Sequence, residues 1–243
     1  MSLVVIALMS LAENIARVQE RMAAAALRSG RKPETITLMA VTKTFPPEQI
    51  SQAYEAGLRV FGENRVQEFA TKSEAVRDLS DAEWHMIGHL QTNKAGKAVE
   101  LFGCVDSLDS VRLARKLNTT ASELEKTLGV LIEINVGGEE VKSGVSPDSQ
   151  ELQDLLKAAP ELPFLEFHGL MTVPPYNADP EQSRPYFRKM RELFEHIAAR
   201  ELTSVNMKIL SMGMSLDLEI AIEEGATCVR VGTAIFGERP QRD

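Results

Sequence analysis

The chain has 243 residues, 44% of them hydrophobic, and a formal net charge of -8 at pH 7. That is enough to bury one large core, as a single α/β barrel or as two small domains. The acidic balance argues against nucleic acid or an anionic membrane as the main partner, and the two cysteines, Cys104 and Cys228, read as buried thiols in a reducing compartment.

Met1 to Met9 is apolar, but no Lys or Arg precedes it as a signal peptide requires, and it is too short to span a bilayer. We assign this segment no role and expect a cytoplasmic protein. An amphipathic helix is predicted from Leu11 to about Leu27. Eight short apolar segments rich in β-branched residues follow: Ile36–Thr42, Arg59–Gly62, Glu83–Ile87, Cys104–Ser107, Val130–Val136, Glu166–Thr172, Lys208–Met212 and Cys228–Gly232. Helical patterns lie between them, at Pro47–Ala56, Asn64–Leu79, Thr92–Leu101, Ser110–Leu128, Pro147–Ala159, Pro180–Arg200 and Ser215–Glu224. Gly57 and Gly225 serve as stops. Strands this continuously apolar, each followed by a helix, predict a parallel sheet covered by helices.

Strand–helix units in this number and length fit a (β/α)8 barrel, for which about 250 residues is typical. An open doubly wound sheet would carry a glycine-rich first turn, whereas here that turn is Thr44-Phe45-Pro46-Pro47. The expectation is an α/β chain with one domain over residues 1–243, a TIM-type barrel with an extra N-terminal helix.

Function in such barrels collects at the C-terminal ends of the strands. Lys43 ends strand 1. It either extends to solvent or is a partly desolvated amine suited to condensing with a carbonyl. Glu63 and Asn64 end strand 2. Glu63 is structural or buffers Lys43, and Asn64 bonds a cofactor hydroxyl or caps the next helix. His85 and His89 read as histidines satisfied by hydrogen bonds, and His196 as solvated. Met171, Met212 and Met214 read as pocket wall. After strands 7 and 8 come Ser211-Met212-Gly213-Met214-Ser215 and Gly232-Thr233. Their glycines let backbone amides approach an anion, their hydroxyls add donors, and Ser215 has the form of an N-cap; ordinary turns would use the same residues. Arg230 lies inside an apolar strand and must find an acceptor. It pairs with a barrel carboxylate such as Glu133, or it faces the mouth and bonds a ring nitrogen. An amine at strand 1, phosphate donors at strands 7 and 8 and this arginine would together hold pyridoxal 5′-phosphate.

These residues stand in longer blocks. Among them are Ala40-Val41-Thr42-Lys43-Thr44, Phe61-Gly62-Glu63-Asn64-Arg65-Val66-Gln67-Glu68, Trp84-His85-Met86-Ile87-Gly88-His89, Lys142-Ser143-Gly144, His168-Gly169-Leu170-Met171-Thr172, Leu210-Ser211-Met212-Gly213-Met214-Ser215 and Val229-Arg230-Val231-Gly232-Thr233-Ala234-Ile235-Phe236-Gly237. Through them the chain resembles the pyridoxal-phosphate homeostasis proteins, whose barrel is similar to the N-terminal domain of alanine racemase. Thr42 stands where that family often has serine. The resemblance implies Lys43 as the Schiff-base lysine, phosphate contacts from Ser211, Gly213, Gly232 and Thr233, and Arg230 near the pyridine nitrogen. With Asn64, Met171 and Met212 these form the expected cofactor-binding set, with no catalytic residue and no metal.

The function implied is binding of pyridoxal phosphate to maintain its cellular supply, with apoenzymes that use the cofactor as recipients, and a monomeric chain. Racemisation needs acid/base groups on both faces of the substrate carbanion. Little sequence follows strand 8, so no second domain is expected to supply the other face. Tyr54, Tyr176 and Tyr186 fall in helices or loops, away from strand ends. Two rivals stay open. One is a racemase or lyase of narrow or weak activity. The other is a barrel for a different phosphorylated metabolite, with Lys43 as an electrostatic clamp.

Overall fold

The computed structural model describes residues 10–139 and 142–238, so the apolar Met1–Met9 segment lies outside the described residues. Parallel strands β1 (Thr37–Val41), β2 (Val60–Glu63), β3 (Glu83–Met86), β4 (Cys104–Leu108), β5 (Leu128–Glu133), β6 (Leu165–Met171), β7 (Val205–Ser211) and β8 (Cys228–Val231) close a barrel in chain order. Helix α1 (Leu11–Arg28) precedes β1. Helices α2 (Pro47–Glu55), α3 (Val66–Lys72), α4 (Ala95–Leu101), α5 (Val111–Glu123), α6 (Gln150–Ala158), α7 (Arg184–Ala198) and α8 (Leu218–Glu223) fill the connections, and α9 (Thr233–Phe236) follows β8. The barrel and its extra N-terminal helix are as the sequence predicts.

The helix boundaries move where caps and turns decide them. α1 starts at a capping box, with the Ser10 hydroxyl accepting from the Glu13 amide and the Glu13 carboxylate accepting from the Ser10 amide. α5 stops at Glu123, short of the expected Leu128, because Glu125 takes a left-handed φ of 51°; a turn follows, and Leu128 opens β5. The predicted Asn64–Leu79 helix divides into α3 and a 3-10 turn at Ser73–Val76.

Side chains alternate across each strand and sort into two interiors. Leu38, Ala40, Phe61, Val105, Val130, Ile132, Leu170, Leu210, Val229 and Val231 belong to one apolar cluster between sheet and helices. The alternate residues Met39, Asp106, Leu131, Glu133, Met171, Ser211 and Arg230 are also buried, and they occupy the barrel's own interior. α1 lies along the seam between β8 and β1, held by Arg21 to Glu219 at 2.6 Å and by Asn14 Nδ2 donating to Ile235 O at 3.0 Å.

The β6–β7 register shifts between Phe167 and Gly169. Gly169 has φ 152°, and a Cβ there would fall 1.9 Å from Ile209 O. Gly169→Ala should therefore lower stability by about 2–4 kcal/mol in urea unfolding, or prevent folding. A variant as stable as the parent would contradict this register.

Candidate functional site

A cavity of about 520 Å³ opens at the C-terminal ends of the strands. Val41 lines it at the end of β1 and Lys43 and Phe45 just after, Lys142 after β5, Val173 to Asn177 after β6, Met214 to Asp217 after β7, Arg230 from β8, and Gly232 and Thr233 just after it. β1 and β8 are paired with Met39 opposite Arg230 and Ala40 opposite Val231. This register carries Val41 alongside Gly232 and brings Lys43 to the rim beyond them. Lys43 is half-buried in the turn that leaves β1.

Arg230 is buried, and burial pulls its pKa below the ordinary guanidinium value. It donates to Ser211 Oγ at 2.7 Å and to the Thr172 carbonyl at 2.7 Å. Glu133 makes no bond to it: one carboxylate oxygen accepts from Ser143 Oγ at 3.0 Å and the other is buried without a partner among the described residues. Of the two readings of Arg230, the direct pair with Glu133 is absent, and the guanidinium lines the cavity. Glu133 lies close enough to favour the charge electrostatically, while burial raises its own pKa.

The two glycines of the expected phosphate loops have different reasons. Gly213 has φ 92°, and a Cβ there would sit 2.4 Å from the Ala221 Cβ, so backbone and packing both demand glycine. Gly232 has φ -113°, and a Cβ there would meet nothing nearer than Val41 O at 3.4 Å. Nothing in the fold requires glycine at 232. A bare backbone on the cavity wall suits close approach of an anion to its amide.

The β7–α8 loop is closed by its own residues. Asp217 Oδ1 accepts from the Met214 amide at 2.6 Å, and burial raises the Asp217 pKa. Ser215 does not cap α8, which begins at Leu218; its hydroxyl instead accepts from the Ala234 amide at 3.3 Å and ties this loop to α9.

Lys43, Arg230, Gly232 and Thr233 thus meet in one cavity, whereas Asn64, Met171, Ser211, Met212 and Gly213 are not on its wall. Ser211 is fully buried beneath it, holding Arg230. Met171 fills the barrel interior, and Met212, one residue past the inward Ser211, packs in the helix–sheet core. Asn64 faces a separate cavity with Val66, His89 and Lys94, and it does not cap α3. Glu63 is fully buried against Lys72 at 2.7 Å, which answers the question of its partner. His85 is satisfied by Asp106 at 2.8 Å, and exposed His89 lies 3.3 Å from Asp109.

Sequence reasoning missed Lys142, Asp217 and the Pro174-Pro175-Tyr176 wall. The Lys142-Ser143-Gly144 block was a usable signal for the first. Lys142 donates to Pro174 O at 3.1 Å and pairs with Glu139. Tyr176 lies in a loop as expected, and that loop brings it to the cavity wall, 79% exposed.

Comparison with known proteins bears on the family and the fold. The family described as alanine racemase, N-terminal domain, matches residues 6–240. The pyridoxal phosphate homeostasis protein of Aquifex aeolicus is 49% identical over 231 residues, covering 95% of this chain and 99% of its own. That of Escherichia coli K12 is 42% identical, covering 94% and 97%. The solved structure of PipY from Synechococcus elongatus with PLP bound is 35% identical, with a TM-score of 0.79 over 94% of this chain and 100% of that one. Alanine racemase of Clostridium difficile shares the fold, with a TM-score of 0.68 at 16% identity, and this chain spans 58% of its length.

Because Ser211 holds Arg230, Ser211→Ala should lower stability by about 1–2 kcal/mol, read from the urea midpoint. An unchanged midpoint would mean that the bond is not formed.

Proposed function

The chain belongs to the pyridoxal phosphate homeostasis proteins, and from that premise we propose that it holds pyridoxal 5′-phosphate in the cavity between β1 and β8, anchored at Lys43. The observation that carries this is the convergence of Lys43, Arg230, Gly232 and Thr233 on one cavity from opposite ends of the chain. When bound, the cofactor supplies an aldehyde, which forms a C=N bond with an amine and releases one water, and an electron-poor ring.

The residues present suit each part of that molecule. Lys43 brings an amine to the rim. Gly232 offers a bare backbone, and Thr233 a hydroxyl and the opening amide of α9, to the phosphate. Arg230 stays charged at neutral pH, so it offers a ring nitrogen a hydrogen bond without transferring its proton. A ring nitrogen beside it remains unprotonated, which weakens electron withdrawal. Ser211 and the Thr172 carbonyl fix the guanidinium plane, so Arg230 orients the ring without reacting.

These features favour reversible holding over turnover. Racemisation would need a second acid/base opposite Lys43. Tyr176 is the tyrosine on the wall, and its side chain stands in solvent. The reading carries with it one domain over residues 1–243, recipients among apoenzymes that use this cofactor, a cytoplasmic setting and a monomeric chain. Among the described residues no helix is long and apolar enough to cross a membrane.

Added pyridoxal phosphate should give the protein a visible absorbance band that Lys43→Ala abolishes. A parent chain that takes up none would overturn the reading. Gly232→Ala should shift stability by no more than about 0.5 kcal/mol yet weaken cofactor binding at least tenfold, about 1.4 kcal/mol; equal losses in both would deny the phosphate role. The loaded protein, incubated with amino acids in deuterium oxide, should leave their α-protons unexchanged. Exchange lost in Tyr176→Phe would establish a racemase-type activity instead.

A further inference from the structure

Beneath the Lys43 turn lies a buried ionic cluster that takes no part in lining the cavity. Its centre is the Lys72 ammonium, at the last residue of α3, with its side chain only 7% exposed. Nζ stands 2.7 Å from Glu63 Oε1 and 3.5 Å from Glu68 Oε1, and it donates to the carbonyls of Thr42 at 2.9 Å and Phe45 at 3.3 Å. Those two carbonyls bracket Lys43-Thr44. The Thr42 hydroxyl donates to Glu63 Oε1 at 2.7 Å, and the Thr44 amide donates to Glu68 Oε1 at 2.5 Å.

The turn so gripped is a costly one. Thr44 is β-branched, yet its φ is 69°, in the left-handed region that such residues avoid. A conformation of this kind persists only where its surroundings over-determine it. Here one ammonium ties the carbonyls on both sides of the turn, and one carboxylate takes the amide within it. A buried ion pair is weak evidence for stability, since apolar residues of similar volume often serve as well. Apolar residues could not hold these backbone groups.

We infer that Lys72, with Glu63 and Glu68, is a positioning device that fixes the β1–α2 turn so that Lys43 enters the cavity in one orientation. The inference rests on the reading of Lys43 as the anchor. With the clamp in place the Lys43 amine is held near the carbon it must meet. Without it the Thr42 and Phe45 carbonyls lose their donor, the turn at Thr44 relaxes, and the amine spreads over many positions.

The test uses two variants that spare the fold in different ways. Glu68→Ala removes the acceptor of the Thr44 amide from a partly exposed position. Glu63→Gln/Lys72→Met removes the charges of the buried pair together and leaves Glu68, which is partly exposed, as the remaining charge of the cluster. In the cofactor-free protein, both should speed amide hydrogen exchange at Thr44 by about tenfold or more and alter the rate at which acetic anhydride labels Lys43 relative to the surface lysines. In the loaded protein, both should weaken pyridoxal phosphate binding about tenfold, with melting temperatures within about 5 °C of the parent.

The same Glu68→Ala change in a Lys43→Ala background should leave the residual affinity unaltered, because the effect passes through Lys43. A further loss there would overturn the proposal, as would unchanged Thr44 exchange in both variants. So would fast exchange with labelling and affinity unaltered. If the parent chain proves to take up no cofactor at Lys43, the anchor reading fails by itself; the exchange and labelling arms still report on the clamp.

Discussion

Parallel pairing of β1 with β8 closes the sheet, and the cavity exists only because of it. The register Met39 to Arg230 joins a segment near the start of the chain to one near its end. Contacts this remote in sequence are entropically expensive to form and must be repaid by burial. The repayment comes from the apolar cluster between sheet and helices, and α1 adds to it along this very seam. Arg21 with Glu219 and Asn14 with Ile235 O bind α1 to α8 and α9, the two helices that flank β8. The extra N-terminal helix thus braces the place where Lys43 and Arg230 meet.

The two interiors of the barrel do different work. The outer one is apolar and supplies the stability. The inner one holds charged and polar groups, among them Arg230, Glu133, Asp106 and His85. Buried groups of this kind contribute little to stability beyond what apolar residues would give. Their value lies in fixed geometry. Near the mouth, Ser211 and the Thr172 carbonyl set the plane of Arg230. Deeper in, His85 Nδ1 and Asp106 Oδ1 hold one another at 2.8 Å. The glycines divide in the same way: Gly169 and Gly213 are demanded by backbone and packing, while Gly232 is left bare on the cavity wall.

Much of this was legible in the sequence. Near-continuous apolar strands with helical patterns between them specify the barrel, and the strand ends then point to Lys43, Arg230, Gly232 and Thr233. Side-chain direction was not legible. Ser211, Met212 and Gly213 sit at the right strand end, but period-two alternation sends Ser211 beneath the cavity and Met212 into the helix–sheet core. Strand position alone does not give that phase where both faces are buried. Ser215 had the form of a helix cap, yet α8 starts three residues later and its hydroxyl serves Ala234. Lys72 looked like any helical lysine. Its burial depends on Glu63 and on a turn some thirty residues earlier, which no local pattern reveals.

The central claim is that Lys43 holds the cofactor covalently. Two lysines, Lys43 and Lys142, share the cavity wall, so the claim is specific. Borohydride reduction of the protein loaded with pyridoxal phosphate, followed by digestion and peptide mass spectrometry, decides between them. The account predicts one phosphopyridoxyl group, on the peptide that contains Lys43. A label on Lys142, or none on either, would contradict it.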